Sequence, residues 1–66
     1  MFKKGFKFTV VKNGLVGIVG GWTSQFCDEL VYSVSFYENG SHYATYMVCE
    51  STIKNNIRLG LYREEV

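Results

Sequence analysis

Acid or base catalysis near neutral pH needs a group that titrates there, and in this chain of 66 residues the one imidazole is His42. It follows a turn serine, stands beside Tyr43, and falls on the outward row of a strand, where a histidine is most often a surface residue. No Ser-His-Asp set can be assembled around it. The carboxylate pairs Asp28-Glu29 and Glu64-Glu65 are sequence neighbours. Neighbours in extended chain point to opposite sides, which is poor geometry for a shared metal or a general acid and base pair. Cys27 and Cys49 are 22 positions apart without a CxxC, and one histidine cannot complete a zinc set. They read as two reduced thiols of a cytoplasmic protein. Gly20-Gly21 before Trp22 lacks the Lys-Ser/Thr and following helix of a phosphate loop. The chain is therefore expected to be no enzyme and to hold no metal or cofactor.

The aromatic residues carry more information. Trp22, Tyr37, Tyr46 and Tyr62 fall at outward strand positions or strand ends, with His42 beside them. Tyr and Trp are the residue types most enriched where proteins grip one another, so these five form the candidate protein-binding surface. The competing reading is that a small barrel needs some of these rings to cap its open ends. Lys3, Lys4, Lys7 and Lys12 form a second, basic candidate for nucleic-acid phosphates. The net charge of only +1 weighs against it.

The elements that would position these residues follow from pattern. Apolar residues are 47% of the chain and aromatics 17%, enough for one small core without a staple, so residues 1–66 are expected to form a single domain. β-Branched and aromatic residues dominate, and seven glycines punctuate them. Residues 5–12 alternate through Phe6, Phe8 and Val10, ending at the hairpin signal Asn13-Gly14. Residues 15–22 return as a strand whose glycines predict a bulge or bend. Residues 23–29 read as a loop, and 30–38 and 41–49 as a hairpin around Asn39-Gly40.

A two-residue turn there predicts that Phe36 faces Tyr43, Val34 faces Thr45 and Tyr32 faces Met47 on the buried side. A register shifted by one residue would instead turn Ala44, Tyr46 and Val48 inward. Residues 50–54 fit a single 3₁₀ turn. The last strand is expected to alternate through Ile57, Leu59 and Leu61. No apolar run is long enough to span a bilayer, and the basic start lacks a signal peptide's apolar region, so a soluble protein is expected.

Strand, turn, glycine-studded strand, loop, hairpin, 3₁₀ turn and closing strand resembles the order of SH3-like barrels. The implied fold is all-β, a five-stranded SH3-like barrel with a single 3₁₀ turn before the last strand. Residues 4–19 are similar to the KOW motif of transcription and ribosomal proteins, a hairpin with a fixed glycine that presents a loop to RNA or protein. Gly17-Ile18-Val19-Gly20-Gly21-Trp22 resembles the second strand of the plasmid-borne type II dihydrofolate reductases, tetramers of such barrels. Against that family's pore sequence Val-Gln-Ile-Tyr stand Tyr43, Ala44, Thr45 and Tyr46, and Tyr46 alone agrees. The resemblance thus implies a shared fold or oligomer rather than reductase chemistry.

Two functions are weighed. One is a binding module docking on a protein partner, of the regulator or inhibitor kind that phages and mobile elements encode, since the chain is rich in Lys, Asn, Phe and Tyr and has no Pro. The other is a nucleic-acid-binding KOW-like barrel. Unprotected strand edges add self-association as a third expectation.

Overall fold

Alternating apolar residues place one row of each strand on a common face, and in this chain that face curls around Phe8, Val19, Tyr32, Val34, Phe36 and Ile53. The structure, a computed structural model, describes residues 2–26 and 29–65, without the side chains of 22–26. Five antiparallel strands, β1 (Lys7–Val10), β2 (Val16–Phe26), β3 (Glu29–Glu38), β4 (Ser41–Cys49) and β5 (Tyr62–Glu64), join in the order β4-β3-β2-β1-β5. A helix, α1 (Glu50–Arg58), connects β4 to β5 and packs on β3, β4 and β5. β4 and β5 are the two edges, so the sheet is not closed.

The first hairpin differs from the Asn13-Gly14 expectation. β1 ends at Val10, and the amide of Val10 bonds the carbonyl of Leu15 at 2.8 Å, leaving a four-residue loop, 11–14. Gly14 takes a positive φ of 76° and donates to the carbonyl of Val10, while Asn13 Oδ1 accepts from the amide of Leu15 at 3.0 Å. Both turn residues thus act in a longer turn than the two-residue form. The resulting register sets Phe8 opposite Gly17. The Phe8 ring lies over Gly17 so closely that a Cβ there would overlap it.

The bend expected from Gly20 and Gly21 is present: the β2–β3 register shifts between Val19 and Trp22 and again between Trp22 and Ser24. β2 nevertheless continues to Phe26, so most of the loop expected at residues 23–29 is strand paired to β3. Thr23, Ser24 and Gln25 looked like loop because they are polar. A partly solvated hairpin accepts such residues when backbone pairing continues. Cys27 and Asp28 lie outside the described residues, and with them the state of the Cys27 thiol.

At the second hairpin the turn is as expected, with Asn39 at φ 51°, Gly40 at φ 83°, and Glu38 facing Ser41. Beyond Tyr37 and His42 the register slips, and Tyr43 is the extra residue of a β-bulge. Phe36 then faces Ala44, Val34 faces Tyr46 and Tyr32 faces Val48. This is the shifted register, reached by a bulge rather than by a longer turn, and it overturns the pairing of Phe36, Val34 and Tyr32 with Tyr43, Thr45 and Met47. The reason is burial. The slip gives the core row Val48 in place of Met47, and leaves Thr45 outside, where its hydroxyl lies 3.2 Å from that of Ser35.

The 3₁₀ turn and the strand expected from residue 57 are replaced by nine residues of α-helix. Ile53 and Ile57 are one helical turn apart and both pack on the core. Glu50 stands in the first turn and Arg58 in the last, each complementing the helix dipole. Cys49 at the N-cap offers no side-chain bond, but Glu29 Oε1 accepts from the amide of Ser51 at 2.9 Å. At the other end Gly60, at φ 80°, donates to the carbonyl of Ile57, and Leu61 donates to that of Asn56. This pair of bonds is a Schellman stop. Leu59 and Leu61, expected in the core, are exposed instead, and Tyr62 turns inward.

Candidate functional site

The open side of the sheet is a consequence of these register choices. The bulge places Ala44, Tyr46 and Val48 of β4 on the core face, but β4 is an edge and β5 is only three residues long. An open groove of about 480 Å³ results, running from the end of β1 to the start of α1. Val10, Leu15, Phe36, Tyr43, Tyr46 and Tyr62 give it an apolar wall, and Asn13 and Thr52 add polar groups at its margins. None of the described residues that line it is charged.

Three side chains beside this groove stand well into solvent: Tyr43 is 58% exposed, Tyr46 55% and Met47 57%. Tyr46 is steadied from below, its ring edge-on to Phe36 at 5.9 Å. Tyr62 stacks on Phe8 at 4.4 Å with an angle of 17° between rings. It is half-buried, so it serves as core cap and groove wall at once. Large rigid rings partly held by a core and partly free are suited to contact at low entropic cost. Cys49 is also half-buried at the margin of the groove.

The five residues expected to bind protein therefore divide. Tyr46 and Tyr62 share the groove. Tyr37 and His42 meet edge to face at 5.6 Å on the opposite face of the sheet, near the turn. There His42 Nε2 lies 2.8 Å from the hydroxyl of Thr45, which in turn meets Ser35, a short exposed chain of hydrogen bonds without a carboxylate. Trp22 sits at the β2 bulge, and its side chain is outside the described residues. Tyr43 and Met47 were missed as candidates because the unbulged register assigned them to the core. A shift of one residue reverses that assignment.

Among the lysines, Lys3 and Lys4 border a second shallow hollow with Phe2 and Phe6. Lys7 and Lys12 lie apart from it on β1 and the 11–14 loop. The acidic end of β5 interleaves with this region: the amide of Glu65 bonds the carbonyl of Lys7, and its carboxylate meets the hydroxyl of Thr9. No group of three His, Cys, Asp or Glu able to hold a metal occurs among the described residues.

One polar network centres on Tyr32. The buried hydroxyl of Tyr32 donates to Glu50 Oε2 at 3.0 Å and accepts from the amide of Phe2 at 3.0 Å. Burial raises the Tyr32 phenol above its ordinary value. The bond from Tyr32 holds the Glu50 carboxyl below its ordinary value, with Lys54, 3.7 Å away, acting in the same direction. This network joins β3, α1 and the N-terminal segment.

No helix among the described residues is long and apolar enough to cross a membrane. Comparison with protein-family models, with curated proteins and with solved structures finds no match for the chain.

Proposed function

We propose that the chain is a small SH3-like barrel that works as a non-enzymatic binding module, taking an extended, uncharged, apolar segment of a protein partner into the groove beside β4. The strand order, with β5 on β1 and the helix packed on β3, β4 and β5, supports the barrel reading. The observation that carries the binding reading is the groove itself, apolar, without a charged residue among the described ones that line it, and flanked by exposed Tyr43, Tyr46 and Met47. A charged ligand would lose its hydration there without a counter-charge in return. The composition supports a regulator or inhibitor encoded by a phage or mobile element, and the compartment that fits is the cytoplasm.

A displayed library of random peptides tests this reading. Bound sequences are expected to be enriched in aromatic and aliphatic residues and poor in charge. Their binding should fall on Tyr46→Ala and Tyr62→Ala, and persist on Tyr37→Ala and His42→Ala. Recovery of basic or acidic sequences, or indifference to Tyr46→Ala, would overturn it. The lysine reading calls for single-stranded probes whose binding weakens steeply with salt. The acidic residues beside Lys7 speak against that behaviour.

A further inference from the structure

The two edges of the sheet are built differently. β5 is three residues long and carries Arg63 and Glu64, and short charged edges deter the addition of another strand. β4 is nine residues long and contains no Lys, Arg, Asp, Glu or Pro. The bulge at Tyr43 is its one irregularity, and residues 44–49 pair with β3 without interruption. Its outer row of backbone groups has no partner strand among the described residues. Large side chains are exposed on both faces of this edge, Tyr46 on the core side and Met47 on the other. Both also border the groove, and a strand added in the plane of the sheet would pack against both from the side.

We infer that β4 pairs antiparallel with β4 of a second copy of this chain, around a two-fold axis through Tyr46, to give one continuous sheet across the dimer. Facing residues in a sheet must lie on the same side, which limits the register to a few choices. Centring on Tyr46 sets ring against ring at the axis, Ala44 opposite Val48 on the core side, and Thr45 opposite Met47 on the outer side. All of these positions fall in the uninterrupted stretch, and both bulges remain outside the contact. In an isologous contact like charges near the axis would be brought together, and β4 carries no Lys, Arg, Asp or Glu to repel its own copy. β4 offers a charged foreign strand no counter-charge, whereas nothing along it repels a second copy. The inference stands apart from the groove reading: Thr45 belongs to the edge and not to the groove lining, and Tyr62 to the groove and not to the edge.

Sedimentation of the purified chain from micromolar to millimolar concentration reads the association directly. A monomer–dimer equilibrium is expected, lost in Thr45→Lys and kept in Thr45→Val. Residues directly opposite across a strand pair lie within disulfide reach. Tyr46→Cys in a Cys27→Ser, Cys49→Ser background should therefore oxidise to a covalent dimer, whereas Ser41→Cys should not. Should Thr45→Lys fail to fold, the cross-link decides alone. A monomer at every concentration, a Thr45→Lys dimer, or cross-linking at Ser41 in place of Tyr46 would overturn the inference.

Discussion

Tyr32 and Glu50 meet at 3.0 Å across the junction of β3 and α1, and the same phenol oxygen receives the amide of Phe2. Three segments distant in sequence thus share one fully buried hydroxyl. Tyr32→Phe keeps the ring and removes the oxygen, leaving the Phe2 amide without that acceptor. A loss of about 1–2 kcal/mol in urea denaturation is expected. Because burial raises this phenol, the neutral form is the one the fold holds. Its stabilisation is complete below the ordinary tyrosine range and is lost as pH rises through the raised value. An absorbance titration should therefore show a late-ionising phenol that disappears in Tyr32→Phe.

Glu50 gives the opposite dependence. Its carboxyl is held low by the Tyr32 bond, so the ionised form is favoured in the fold. Its contribution is present above the unfolded carboxylate value and fades as pH falls through the folded one. Thermal melts of the wild type and Glu50→Gln should differ most above about pH 5 and converge on further acidification. A gap of constant size across that range would show that the carboxylate charge is not what matters.

Gly17 is buried directly under the Phe8 ring, and a methyl group there overlaps ring atoms in the centre of the core. Gly17→Ala should cost roughly 1–3 kcal/mol as Phe8 is forced off its rotamer. The double variant Gly17→Ala, Phe8→Leu should recover part of that loss in chemical denaturation, since the smaller side chain makes room. Absence of any recovery would show that the Phe8 ring is not what the added methyl group displaces.

Much of the sheet was legible. Phe6, Phe8 and Val10 share the core face as their alternation implied, the Asn39-Gly40 turn has the expected positive φ angles, and the glycines of β2 coincide with its bulge. The helix was obscured because Ile57, Leu59 and Leu61 also satisfy a period of two. The competing period, Ile53 to Ile57 with Gly60 as a stop, was equally visible in the residues. The groove was half legible. Tyr46 and Tyr62 could be named as surface aromatics, but what unites them is the open edge, which depends on long-range pairing and on an extra residue in β4. No local pattern around Tyr43 announces that residue.

That inserted residue gives the hairpin a choice of two alignments. Dropping Tyr43 would keep Tyr37 on His42 and Phe36 on Ala44, so a hairpin without a bulge retains the present inner row. With Tyr43 in place, flattening the bulge would carry Tyr43, Thr45 and Met47 to the interior and Ala44, Tyr46 and Val48 to the opposite surface. Loss of one codon would thus lock the present setting of the open side, whereas the residue as it stands leaves the opposite setting one slip of β4 away.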